Sequence, residues 1–182
     1  MQIDPATGLL SDVTQVLSPH FDARPAGTVA SLIIVHGISL PPGEFGGPWV
    51  DRLFTGTLPS DAHPYFAKAS ERRVSAHAYI RRDGRITQYV PFGARAWHAG
   101  ESQFEGRAAC NDFSIGIELE GTDERAYEDA QYESLASLIR TLLATYPSLA
   151  KERLVGHSDV APGRKTDPGP AFDWPRLRSL VS

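Results

Sequence analysis

Cysteine is almost missing from this chain: Cys110 is the only one in 182 residues. No internal disulfide can form, and no thiolate cluster can hold a metal. A chain so poor in thiols suits a reducing cytoplasm. Long apolar runs are missing too, so no segment is expected to span a membrane. The opening MQIDPATGLLSDVTQVLSPH has neither a basic start nor a long apolar stretch, so it is not expected to act as a secretory signal. Positive charge is not in excess: 18 Lys and Arg stand against 22 Asp and Glu, a net −4. That balance gives nucleic acid no electrostatic footprint. There is no internal repeat and no low-complexity block. The G-x-S-x-G elbow of many serine hydrolases does not occur. Cys110 adjoins Asn111 with no evident histidine partner, which argues against a cysteine hydrolase.

What is present reads as an ordinary globular balance, 41% apolar and 22% charged, over a length that one domain covers, residues 1–182. SLIIVH, from Ser31 to His36, is a short unbroken apolar run suited to a strand covered on both faces. The Gly/Pro-rich HGISLPPGEFGG then ends it. Val74 to Val90 reads as a β-hairpin with Asp83-Gly84 as a two-residue turn. Asn111 to Gly121 alternates, with Ile115, Ile117 and Leu119 on one side and Ser114, Gly116, Glu118 and Glu120 on the other. In the next segment Tyr132, Leu135, Ile139, Leu142 and Tyr146 form one helical stripe that Pro147 ends. LVG, Leu154 to Gly156, is a short strand delivering His157, and DWPRLRSLV closes the chain as a short helix. The expected fold is a single α/β (α+β) domain, a central mixed sheet flanked by helices.

His36 and His157 are each placed just past the carboxyl end of an apolar strand, where α/β sheets collect ligands. Two imidazoles and one carboxylate would leave a fourth position open, the pattern of a catalytic zinc. The carboxylate is Asp159 or Asp167. Asp159 is two residues from His157 and reads more naturally as a turn residue, whereas Asp167 can fold back across the loop. Pro162, Pro168 and Pro170 would stiffen that loop. The residue pattern alone leaves a metal-free polar network open as well. Glu118 lies on the polar face of its strand beside Gly116, whose missing side chain could leave room for a ligand; there it could move a proton. Lys165 could stabilise an oxyanion. Glu120 reads as an exposed, paired carboxylate, and Arg81, Arg82 and Arg85 as solubilising charge. His77 reads as a buried, hydrogen-bonded residue. No role is assigned to His20 or His63.

Seven stretches in order resemble the cytosolic anhydro-N-acetylmuramyl-L-alanine amidases, the AmpD type, within the zinc amidase and peptidoglycan-recognition superfamily: SPHFDARP, HGISLPPGEFGGPW, LFTGT, VSAHAYIRRDG, RAWHAG, CNDFSIGIELEGTD and GHSDVAPGRKTDPGPAFDW. The resemblance implies a zinc hydrolase, one Zn2+ per chain, that cuts the amide between the lactyl group of (1,6-anhydro-)N-acetylmuramic acid and L-alanine. It implies a cytoplasmic monomer that recycles anhydro-muropeptides, with no nucleic-acid or membrane partner, and that could limit β-lactamase induction by lowering their level. Mapped by motif, His36, His157 and Asp167 would bind zinc, and Glu118 and Lys165 would be catalytic. Arg73, Trp97 and His98 match stretches near the substrate groove. Two positions depart from the pattern. Gly37 stands where asparagine is expected and would remove a donor beside the metal. Ser158 replaces a common cysteine that is not a ligand. The competing reading is a non-catalytic module that binds wall fragments.

Overall fold

The computed structural model describes residues 1–182. Its main sheet has six strands: β1 Thr14–Gln15, β2 Leu32–Ile38, β3 Ala78–Ile80, β4 Ile86–Gln88, β5 Ser114–Glu120 and β6 Leu154–Gly156. They lie in the order β6-β2-β5-β3-β4-β1. Neighbours run parallel except for the antiparallel pair β3 and β4, so the sheet is mixed. Five helices surround it: α1 Trp49–Phe54, α2 Phe66–Ala69, α3 Asp129–Thr145, α4 His157–Val160 and α5 Trp174–Val181.

The alternation along β2 and β5 sorts their side chains to two faces. Ile33, Val35, Ile115, Ile117 and Leu119 join the largest apolar cluster, under α3 and α5. The predicted stripe of α3 supplies Tyr132, Leu135, Ile139 and Leu142 to the same cluster, and burying each such side chain contributes roughly 1.5–3 kcal/mol. Glu128 and Gln131 cap the helix reciprocally, and Tyr146 ends it before Pro147. At α5 the Asp173 carboxylate accepts from the Arg176 amide at 2.9 Å.

The opposite face is covered in two pieces. Over β3 and β4, α1 and α2 pack Val50, Leu53, Phe54 and Phe66 against Tyr79 and Tyr89. Toward β6, Ala99, Cys110, Phe113 and Val160 cover Leu32 and Ile34. Between the two coverings, where β2 meets β5, the sheet is left open.

Two expectations change here. Strand β2 continues through Gly37 and Ile38, paired with Leu119 and Glu120, so His36 lies inside the strand rather than past its end. The hairpin is shorter than Val74–Val90 and its loop longer. Ile80 pairs with Ile86, the Gly84 amide donates to Arg81 O at 2.8 Å, and the Arg81 amide donates to Arg85 O at 2.9 Å. Arg82, Asp83 and Gly84 therefore form a three-residue loop whose last position, at φ +82°, takes the left-handed backbone that glycine favours.

Candidate metal centre

A cavity of about 410 Å³ occupies the gap between the two coverings, and His98, Glu118, His157, Lys165 and Asp167 are among its walls. Strand register sets its floor. His36 pairs directly with Glu118 across the parallel β2–β5 ladder, and both belong to the face away from α3. His157 follows β6 as the first residue of α4. Asp167 returns across the loop, where its carbonyl accepts from the Ser158 amide at 3.0 Å.

Three donor atoms converge. His36 Nδ1 is 2.9 Å from His157 Nδ1, and Asp167 Oδ2 is 3.3 Å from the first and 3.1 Å from the second. Donors around a tetrahedral zinc, at its usual bond lengths, stand about 3.3 Å apart. His157 Nε2 lies 3.1 Å from the Ala99 carbonyl, which can only accept, so the proton sits on Nε2 and Nδ1 is bare. His36 Nε2 lies 2.9 Å from His98 Nδ1, and His98 Nε2 lies 3.3 Å from Ser114 Oγ. Protons placed on both Nε2 atoms each find an acceptor along this row, and His36 Nδ1 is left bare as well. Burial holds the His36 pKa down to about 4, so its ring is neutral at neutral pH. Two bare nitrogens and a carboxylate crowded together repel one another unless a cation joins them. The His36, His157 and Asp167 group fits a metal ion.

Asp159 is engaged elsewhere: its Oδ2 accepts from the Gly156 amide at 2.7 Å. Glu118 is buried, and its Oε2 has no hydrogen-bond partner. Burial, followed by the nearby Asp167 carboxylate, raises its pKa well above the ordinary range, against the charge of Lys165. Lys165 is half-buried on the loop.

Several other expectations are corrected. Gly116 makes room for a neighbour rather than for a ligand, since a Cβ there would lie 2.4 Å from the His98 ring. His98 thus lines the cavity and also abuts His36. Its backbone amide and that of Ala99 donate to Asn111 Oδ1 at 3.1 and 2.8 Å. Trp97 is not among the cavity's lining residues; its Nε1 donates to Asp22 at 3.2 Å and its ring stacks near His20. Arg73 is exposed, and the neighbouring Arg72 lines the cavity instead. Glu120 is buried and accepts from the Gly46 and Arg82 amides at 2.5 and 3.0 Å, pinning the glycine-rich loop. Arg81 pairs with Asp51 at 2.8 Å and Arg82 pairs with Glu128, and both are part-buried, whereas Arg85 is exposed and pairs with Asp83 at 2.6 Å. Gly37 lies on the α3 face of its strand. It lines the cavity through its backbone, a Cβ there would meet the Tyr127 hydroxyl, and its own amide points at Asp167 Oδ2 at 3.4 Å.

His77 is buried as expected: Nδ1 accepts from the Gly116 amide at 3.0 Å, and Nε2 donates to Ala94 O at 3.2 Å. Burial holds its pKa down to about 3. Cys110 is fully buried and burial pushes its thiol pKa up, away from a reactive thiolate. No helix is long and apolar enough to cross a membrane. Arg24, within the SPHFDARP stretch, was given no role by the sequence. Its guanidinium donates to the carbonyls of Asn111, Asp112, Phe92 and Ser114, bracing the segment that clamps His98.

The geometry agrees with what the chain is similar to. The family model described as N-acetylmuramoyl-L-alanine amidase matches residues 26–170. The 1,6-anhydro-N-acetylmuramyl-L-alanine amidase AmpD of Salmonella typhimurium (strain SL1344) is 63% identical over 178 residues, covering 98% of this chain and 95% of that protein. A crystal structure of a selenomethionine AmpD derivative superposes with a TM-score of 0.96 at 59% identity, covering all of both chains. The amidase AmiD of Escherichia coli, in complex with the substrate anhydro-N-acetylmuramic acid-L-Ala-D-γ-Glu-L-Lys, superposes with a TM-score of 0.62 at 28% identity, over 86% of this chain and 60% of that one. The chain belongs to the N-acetylmuramoyl-L-alanine amidase family.

Proposed function

We propose that the whole chain, residues 1–182, acts as one amidase domain that hydrolyses the amide between the lactyl group of 1,6-anhydro-N-acetylmuramic acid and L-alanine in muropeptides recovered from wall turnover. The observation that carries this reading is the placement of Glu118. Its unpartnered carboxylate oxygen is buried beside His36, in the wall of a cavity that also holds Lys165. A buried acceptor left without a partner costs roughly 1–3 kcal/mol, and a reacting molecule in the cavity would satisfy it.

His36, His157 and Asp167 would hold one Zn2+ per chain. When bound, such an ion supplies Lewis acidity, polarising a carbonyl and lowering the pKa of water to about 7. Glu118 takes the proton of the attacking water as its oxygen bonds to the lactyl carbon. As the C–N bond breaks, Glu118 returns that proton to the departing alanine nitrogen. Its raised pKa suits both halves of the transfer. Lys165 offers an ammonium to the oxygen that gains charge in the tetrahedral intermediate. His98 holds the His36 ring in place, and the apolar wall of Leu53 and Phe54 restricts water.

The same reading makes the protein a cytoplasmic monomer acting on small soluble fragments, apart from membranes and nucleic acids. A lowered β-lactamase induction, through lower anhydro-muropeptide levels, belongs to that proposal. Mass spectrometry of products tests it. The zinc-loaded protein is incubated with an anhydro-muropeptide and, separately, with its ordinary reducing-end counterpart. Anhydro-N-acetylmuramic acid and an intact peptide, from the anhydro form alone, are expected. Equal cleavage of both would retain the amidase but remove it from recycling, and cleavage of neither would leave a binding module.

A further inference from the structure

Tyr127 is a buried phenol that the chemistry above does not use. Only 5% of it is exposed, and glycines lie against it from two sides. A Cβ on Gly37 would lie 2.4 Å from the Tyr127 hydroxyl oxygen, and one on Gly121 would lie 2.3 Å from its ring. Real Cβ atoms essentially never approach so closely. The Phe172 ring meets it edge-on, at 5.3 Å between centroids. A side chain at position 37 could therefore enter only by displacing the phenol.

The hydroxyl has one partner. It donates to the Pro168 carbonyl at 3.0 Å, one residue beyond Asp167. Burial, and then the nearby carboxylates of Glu118, Asp167 and Asp123, raise the Tyr127 pKa, so the group stays a neutral donor. The Asp167 segment has few other ties. Its carbonyl accepts from the Ser158 amide, the Ala171 amide donates to Asp123 O at 3.0 Å, and the Gly37 amide faces Asp167 Oδ2 at 3.4 Å. Gly37 thus serves the segment twice, through its own amide and through the space it leaves open.

We propose that Gly37 and Tyr127 form a positioning pair: the missing side chain at 37 admits the Tyr127 hydroxyl, which fastens the Asp167–Pro168 segment so that the carboxylate meets His36 and His157. For its effect on metal binding, this inference rests on the reading of those three residues as a metal site. Tyr127→Phe keeps the ring and removes the tie, whereas Gly37→Ala keeps the tyrosine and displaces its hydroxyl.

The test uses the full-length protein, the two single variants and the double variant. Zn2+ dissociation constants come from competition with a chromophoric chelator, and the visible spectrum of the Co2+-substituted protein reports ligand geometry. Each single variant is expected to weaken Zn2+ about 10-fold, the low end of what partners of metal ligands contribute, and to alter the Co2+ bands. The double variant should be no worse than the weaker single one, because both changes break one tie. Tyr127→Phe binding Zn2+ as tightly as the parent, or losses that multiply in the double variant, would overturn the proposal. Hydrogen exchange at the Ser158 amide, measured without metal, reports the tie independently of the metal reading. It should speed up about 10-fold in both single variants, and unchanged exchange there would also overturn the pair. Should the parent protein bind no Zn2+ at all, the metal reading fails, and the exchange data alone decide on the tie. If Gly37→Ala does not fold, Tyr127→Phe carries both measurements.

Discussion

The site is built from two kinds of support. His36 and Glu118 stand on neighbouring strands whose seven-residue parallel register, Leu32 against Ser114 through Ile38 against Glu120, fixes them side by side. His157, Lys165 and Asp167 sit on a helical turn and a loop held by a handful of hydrogen bonds. The strand-borne pair is placed by the whole sheet, so local changes disturb its chemistry and leave its position alone. The loop-borne residues are placed by single contacts, so both position and chemistry are exposed to one substitution. Placement by many weak restraints and placement by a few strong ones fail in different ways.

The largest expected effect tests the strand side. Glu118→Gln keeps the volume and removes the proton acceptor, so kcat should fall about 10²–10⁴-fold while the Zn2+ content of the purified protein stays at the parent level. Turnover within tenfold of the parent would remove Glu118 from proton transfer. On the loop side, Lys165→Ala should lower kcat about 10²–10³-fold, the range for losing one oxyanion donor. A rise in KM at constant kcat would instead assign Lys165 to substrate binding.

The sequence made the two kinds of support legible to different degrees. Alternation over 114–120 sorted Glu118 from Ile117 and Leu119, because a strand's period of two survives any packing. The stripe of α3 was legible for the same reason, with a period close to four. Asp167 was chosen over Asp159 by how the chain could fold back, and the structure spends Asp159 on capping its own turn. The helices α1 and α2, of six and four residues, are too short to show a period. Arg73 comes from the resemblance alone, and in the fold its neighbour Arg72 lines the cavity. His98 was legible only through the RAWHAG stretch, and neither its contact with His36 nor the place of Tyr127 left a signal. Each residue owes its place to glycines distant in sequence, Gly116 for the one and Gly37 and Gly121 for the other, and such cavities arise only when the chain is folded.

His98 stands outside both kinds of support, since it touches strand-borne His36 but is itself clamped by Asn111, on the 3-10 turn that leads into β5. His98→Ala should weaken Zn2+ about 10–100-fold, the usual loss when a ligating imidazole loses its partner. Gly116→Ala should give the same loss by another route, its methyl displacing the ring. A chelator competition assay measures both. Parent-like affinity in both variants would show that the sheet alone orients His36, and that His98 contributes nothing to the strand side.

The smallest effect isolates the sheet. Ile117 precedes Glu118 and points the opposite way, fully buried under α3. Ile117→Val removes one methylene from that face and should cost about 0.5–1.5 kcal/mol of stability, read from the midpoint of denaturant unfolding. Because seven paired residues hold β5 against β2, the loss should stay on the apolar face, and kcat and Zn2+ affinity should match the parent. A drop in kcat beyond twofold would mean that packing under α3 reaches through the strand to Glu118. The strand-borne half would then be no more insulated than the loop-borne one, and the contrast between them would fall.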